Sequence, residues 1–226
     1  MVAVVTLLSD SLEEASISSL SDNCDAMIDS ICDMTWETAN SAEIMRIAKA
    51  YHYFSIQFRE NLEIACQLHP HDRMLKALYD GECATDNLSP WPGITAVDER
   101  LNHDEFVRRL LLLGTVEDEE YLSQIGRLYL NRVRRMDTGA RAASIASYED
   151  GGLARVFSAM LRGRSWQGPG PQAFKFFLEQ HIRFDTDDDV GGHASLARHL
   201  HSERGALLLW TAFRDLLFAA VPKLVP

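Results

Sequence analysis

Long hydrophobic runs are missing from this chain. Apolar stretches such as Ala206–Leu209 and Leu216–Val221 are short and bounded by polar residues, far from the roughly 20 apolar residues of a membrane-spanning helix. Basic clusters are equally scarce. A net charge of −11, from 22 Lys and Arg against 33 Asp and Glu, would repel a nucleic acid, and no local patch reverses it. The densest cationic group, Arg132, Arg134 and Arg135, reads as a solvated helix end that complements the helix dipole. Cysteine is sparse too: Cys24, Cys32, Cys66 and Cys83 contain no C-x-x-C pair, so neither a zinc knuckle nor a disulfide framework is expected. The opening MVAVVTLLSDSLEEAS has an apolar run but no basic stretch before it, which argues against a signal peptide and for a cytoplasmic protein with reduced thiols.

Alternating β-branched runs, internal repeats and long linkers are nearly absent as well. What is present is helical periodicity. The expectation is one all-α domain over residues 1–226, a bundle of seven to eight helices near 11–33, 41–68, 71–83, 95–113, 117–136, 139–163, 171–186 and 193–219. Ser41 with Glu43 and Ser11 with Glu14 suit helix starts, and Thr95 suits the cap of a helix that runs to Gly114.

The most informative segment is FKFFLEQHIRFDTDDDVGGHASLARHL, residues 174–200. His181 and Asp185 stand four apart, on one helical face with Phe174, Phe177, Leu178 and Phe184 around it. An imidazole and a carboxylate facing a core are costly without a partner. A metal ion is one such partner, and His193, past a Gly-Gly break, is a third donor.

Other helices repeat the pattern. Tyr53, Ile56, Glu60 and Ile64 follow steps of three and four, as do Ala142, Ile145, Glu149, Leu153 and Val156, so each stripe contains a carboxylate. His103 shares a face with Ala96, Phe106 and Leu110, with Glu99 one turn earlier. Each position alone has a plain structural reading: a Glu at a stripe's edge, or a histidine satisfied in the core. Together, inward carboxylates and imidazoles from four helices are what a bundle uses to hold two metal ions, and a thiolate-free set suits Fe(II) or Mn(II). The Glu-x-x-His pair of ferritin-like bundles is missing. Histidines 52, 69, 71, 199 and 201 sit in polar surroundings and read as surface residues.

These motifs resemble the heme-oxygenase-like di-iron (dimetal) oxidases, the iron-containing redox enzymes. FFLEQHIRFD…GGHASLA is similar to that family's closing His-x3-Asp…His-Ala element, ASYED around Glu149 to its Tyr-Glu element, and NHDEFVRRLLLLG to its metal-binding His and following helix. The resemblance covers Tyr51 to Leu200 and implies metal ligation by Glu60, His103, Glu149, His181, Asp185 and His193. Two departures leave alternatives open. The gap between Asp185 and His193 is longer than usual, so Asp188 or Asp189 could replace a ligand. The Glu-Glu pair that often precedes the His-bearing helix is represented only by Glu82, Asp86 and Glu99.

The resemblance implies two Fe(II) ions, O2 as co-substrate, and oxidation of a small molecule through a peroxo-di-iron(III) species. A free amino acid in specialised-metabolite biosynthesis is favoured, with Arg155 or Arg183 as a carboxylate clamp. An external electron donor and a homodimer are compatible with it. The alternatives are a fatty-acid decarboxylase or desaturase of the same fold, and a metal-free acidic interaction protein.

Overall fold

The computed structural model describes residues 24–83, 90–186 and 203–225. Among these residues there are nine α-helices: α1 (Cys24–Cys32), α2 (Ser41–Leu68), α3 (Arg73–Cys83), α4 (His103–Leu110), α5 (Glu119–Arg134), α6 (Thr138–Ser147), α7 (Leu153–Met160), α8 (Pro169–Thr186) and α9 (Glu203–Ala220). A π-helical turn, Tyr148–Gly152, joins α6 to α7, so the two helices form one bulged rod in place of the uninterrupted helix expected there. The fold is all-α, with one isolated β-bridge among the described residues, between Trp91 and Thr95.

Helix α2 is the axis of the fold. Asn40 starts it with a capping box: its Oδ1 accepts from the Ala42 and Glu43 amides at 3.0 and 3.1 Å, and Glu43 Oε2 accepts from the Asn40 amide at 2.8 Å. The capping residue is therefore Asn40, one position before the Ser41 expected to start the helix. Buried residues surround much of α2, including Ile44, Ile47, Tyr51, Phe54, Phe58, Leu62 and Ala65. A helix buried on so much of its circumference needs neighbours on several sides. It packs against α3, α4, α5, α6, α8 and α9. The contact with α5 depends on Gly126, where a Cβ would stand 2.1 Å from the Tyr53 ring.

The helix expected from Thr95 starts only at His103, with Asn102 as its N-cap. Thr95 is used differently: its amide donates to the Trp91 carbonyl and its carbonyl accepts from the Trp91 amide, both at 3.1 Å. Asp98 then takes a left-handed φ of 64°, which breaks any helix through this stretch. Glu99 folds back to accept from the Ala96 amide and from Arg109 Nη1 at 2.7 Å, while Arg109 also donates to the Ile94 carbonyl. These bonds tie the loop to α4 and hold His103 at the helix entrance. The helix passes through a 3-10 turn, Leu111–Leu113, and ends before Gly114, whose backbone is extended.

No helix among the described residues is long and apolar enough to cross a membrane.

Candidate metal centre

Four elements converge on one buried cleft. Helix α3 brings Glu82, the first residue of α4 is His103, the π-helical turn carries Glu149, and α8 brings His181. Tyr51, Ser55, Phe58, Arg59, Asp104 and Leu153 complete the lining. Glu82, His103 and His181 are each 8% exposed and Glu149 is 6% exposed, so this is polar chemistry placed in a core.

Within the cleft, Glu82 Oε2 lies 2.6 Å from His103 Nδ1, and His103 Nδ1 lies 3.1 Å from His181 Nε2. One donor atom each from Glu82, His103 and His181 falls within 4.8 Å of the others. The other nitrogen of His181, Nδ1, is 2.9 Å from the Phe177 carbonyl one helical turn back. A carbonyl only accepts, so Nδ1 carries the proton and Nε2 presents a lone pair to the cleft. A single His103 N–H would then face two acceptors, the Glu82 carboxylate and the His181 lone pair. Two electron-rich atoms sharing one proton in a buried site suit a cation better than a proton. The 2.6 and 3.1 Å separations bracket the roughly 3 Å between adjacent ligands of a six-coordinate ion with bonds of about 2.1 Å.

Aromatic rings wall the centre. Phe177 and Phe157 lie 4.2 and 5.6 Å from the His181 ring, and Phe177 lies 5.8 Å from His103, centroid to centroid. Such walls keep water out and strengthen electrostatics inside. The cleft's enclosed space is small, about 20 Å³, enough for an ion or a water and not for an organic molecule as well. A larger ligand would sit toward its opening.

The π-helical turn explains how Glu149 reaches this place. It widens the helix by one residue per turn, and Gly151 within it has φ +82°, a value L side chains rarely adopt. Tyr148 is fixed beside it in the core, its hydroxyl 3.5 Å from Gln57 Oε1, which also accepts from Tyr129 at 2.6 Å. Burial pushes both phenols' pKa up, so they stay protonated.

Of the residues expected as ligands, His103, Glu149 and His181 meet in the cleft. Glu60 does not join them. Its oxygens accept from Arg134 Nε at 3.0 Å and from Arg141 Nη2 at 3.2 Å. The expectation failed because Ile56, Glu60 and Ile64 lie on the half-exposed edge of α2, with only Tyr53 of that stripe buried, whereas Phe54, Phe58 and Leu62 form its deep face. Burial alone would raise the Glu60 pKa, but the hydrogen bonds and charges of Arg134 and Arg141 outweigh it and hold the group below the usual carboxylate range. Arg141 is itself buried, and its Nε donates to Asn61 Oδ1 at 2.8 Å. Asp185 lies on α8, but its side chain is outside the described residues, as are His193, Asp86, Asp188 and Asp189. Glu99 is committed to Arg109.

Glu82, left open in the sequence, is the carboxylate that completes the triad. Its signal was legible: Leu75, Leu78 and Glu82 follow the same steps of three and four, and both leucines are fully buried. The arginines differ from expectation. Arg155 pairs with Asp25 at 2.9 Å and with Asp29, on the outer side of α7, and Arg183 is exposed. Among the described residues, the cation that lines the cleft is Arg59. Its Nη1 donates to Glu63 at 2.9 Å, and its Nε and Nη2 donate to Asp104 Oδ2 at 3.3 and 3.2 Å. Burial lowers the Arg59 pKa less than Asp104 and Glu63 raise it, and the guanidinium stays charged. His52 is also not the surface residue expected. It is half-buried, and burial together with Lys49 lowers its pKa, which keeps the ring neutral.

Compared with known protein families, curated proteins and solved structures, the chain finds no match. The geometry of the centre therefore carries the functional reading by itself.

Proposed function

We propose that the protein is a non-haem iron oxidase that uses O2 to oxidise a small molecule at the opening of this cleft. The observation that carries the reading is the buried convergence of two imidazoles and one carboxylate, His103, His181 and Glu82. Two histidines and a carboxylate around one ion, with positions left open, is the donor set of ferrous oxygen-activating sites, and it lacks the thiolates of closed structural zinc sites. Glu149 lines the same cleft from the π-helical turn. It is placed to complete the coordination of this ion or to bridge to a second one, for which the sequence offers Asp185 and His193.

Ferrous iron, when bound, supplies the O2-activating redox chemistry. The chain does the rest. The Phe177 carbonyl holds His181 in the tautomer that presents Nε2, a supporting hydrogen bond of the kind that sharpens ligand orientation. Glu82 and Glu149 offset the charge of a divalent ion, and Phe157 and Phe177 exclude water around it. Arg59 and Asp104 border the opening.

The test is anaerobic titration of the metal-free protein with Fe(II), counting bound iron per chain, followed by exposure to O2. Two ions bound and oxidised would establish the dimetal form, and one would place a single ion at His103, His181 and Glu82. No uptake of Fe(II) or Mn(II) would overturn the reading in favour of a metal-free interaction protein.

A further inference from the structure

Metal-binding side chains are spread unevenly along this chain. Of its four cysteines and eight histidines, Cys66, His69 and His71 fall within six residues, CQLHPH, and Asp72 follows directly. The buried centre uses none of them. They stand where α2 ends and α3 begins, beside a groove with about 330 Å³ of space whose lining includes Glu63, Cys66, His69, Asp72 and Lys76.

The backbone brings three of these donors side by side. The His69 amide donates to the Ala65 carbonyl at 2.9 Å, so His69 is still on the helical ladder, three residues after Cys66. Side chains at that spacing have Cβ atoms about 5–6 Å apart. The chain then reverses through Pro70, and the Asp72 amide donates to the His69 carbonyl at 3.0 Å. The two ends of such a turn lie within about 7 Å, which returns Asp72 to His69. Asp72 Oδ1 caps α3, accepting from the Met74 and Leu75 amides at 2.9 and 3.1 Å, and this fixes the carboxylate. Cys66 is half-buried, and its thiol donates to the Leu75 carbonyl at 3.6 Å, so the sulfur faces the start of α3.

Burial raises the Cys66 pKa, so the thiol is not an activated nucleophile. A coordinated ion, by contrast, removes the thiol proton. The side chains are not gathered yet: among the described residues, only Glu82, His103 and His181 hold three donors within 4.8 Å of one another. His69 is exposed and borders open space, so its ring can turn toward Cys66 and Asp72 at the cost of its present rotamer. Glu63 accepts from Arg59 at 2.9 Å, which leaves a fourth coordination position to water. Lys76, the cation in the groove, is paired with Asp80 at 3.2 Å.

We propose that Cys66, His69 and Asp72 form a separate metal site that takes Zn(II) and clamps the end of α2 to the start of α3. Thiolate, imidazole and carboxylate in a four-coordinate arrangement are zinc donors, whereas the thiolate-free centre suits Fe(II) or Mn(II). Because α3 carries Glu82 at its other end, the ion would steady the helix that supplies this ligand. The inference does not rest on the oxidase reading.

The full-length, reduced, metal-free protein is titrated with Co(II), a coloured substitute for Zn(II). A thiolate-to-cobalt charge-transfer band is expected, which donors without sulfur cannot give. It should vanish in Cys66→Ser and persist in His181→Ala, which disables the buried centre. His69→Ala and Asp72→Asn, the latter keeping the helix cap, should each weaken the site by about tenfold or more, about 1.4 kcal/mol. Added Zn(II) should bleach the wild-type band. No band, a band that survives in Cys66→Ser, unchanged affinity in His69→Ala or Asp72→Asn, or cobalt that Zn(II) does not displace overturns the proposal. Should Cys66→Ser fail to fold, the His69→Ala affinity decides. A centre that takes up no Fe(II) or Mn(II) would end the oxidase reading and leave this titration to be judged by the same outcomes.

Discussion

His103 and His181, 78 residues apart in the chain, face each other with Nδ1 and Nε2 separated by 3.1 Å in a buried cleft. At this separation an N–H of one ring can donate to the lone pair of the other. Glu82, 2.6 Å from the same His103 nitrogen, turns the pair into a three-donor group.

His103→Ala, His181→Ala and Glu82→Ala should each weaken Fe(II) or Mn(II) binding by about 100-fold or more, since even loss of a supporting outer bond costs about 10- to 100-fold. The bundle should stay folded, because each substitution leaves the apolar core around α2 in place. Equilibrium dialysis with metal analysis measures the affinity, and circular dichroism checks the fold. Undiminished metal uptake by any of the three would remove that residue from the centre.

Glu60 belongs to the fold and not to the centre. Glu60→Ala should leave metal stoichiometry unchanged while lowering stability by about 1–3 kcal/mol, because the buried Arg141 loses its carboxylate. Denaturant melts and metal analysis of the same sample test both halves. A variant with wild-type stability and lost metal would reverse the assignment.

Acid should weaken the fold in a defined window. Glu60 is held below its ordinary value by Arg134 and Arg141, and Glu105 is lowered to about 2, first by its hydrogen bond from Arg108. A carboxyl whose folded pKa is depressed contributes stability that is present above the unfolded pKa and lost as pH falls through the folded one. The contribution is therefore intact near neutrality and declines from about pH 4.5 toward pH 2. Thermal melts across this range should show the deficit of a Glu60→Ala, Glu105→Ala double variant, relative to wild type, shrinking as pH falls. A deficit constant with pH would contradict the ion-pair account.

Two glycines should resist alanine for different reasons. At Gly126 the new Cβ would fall 2.1 Å from the Tyr53 ring on α2. Helix propensity favours alanine, but overpacking dominates at this distance, and a net loss of about 1–3 kcal/mol is expected. Full stability of Gly126→Ala in a urea melt would mean that α2 and α5 are less closely packed than this distance requires.

A Cβ added at Gly151 would meet nothing within 4 Å, so only the φ of +82° opposes substitution there. Gly151→Ala should cost about 1–2 kcal/mol. Because the same turn carries Glu149, metal affinity should fall alongside stability. A variant with unaltered melting temperature and metal affinity would show that the π-helical turn does not depend on this residue.

How much of this was legible in the sequence differs by level. Helices came through because their cause is local: apolar spacing and caps such as Asn40 with Glu43 operate within a turn or two. Glu149 and His181 were legible for the same reason, as polar residues at inward positions of strong stripes. Glu60 had a similar signature and misled, since period alone does not say which of two adjacent stripes on α2 is the deep one. That depends on where α5 and α6 lie, and their arginines decide what Glu60 meets. Thr95 misled for a related reason, because its backbone bonds with Trp91 compete with the helix that its side chain could have capped.

By itself, then, the chain determined its helical class, most helix positions and the kind of donor atoms turned inward, all consequences of spacing along one segment. Only the tertiary structure decided which donors meet. Glu82, His103, Glu149 and His181 come from four separate elements, and their convergence depends on packing around α2 and on one π-helical turn. The same packing gave Arg59 and Asp104 the opening of the cleft and sent Arg155 to the surface, because the partner of a charged side chain is chosen by what the fold brings near it.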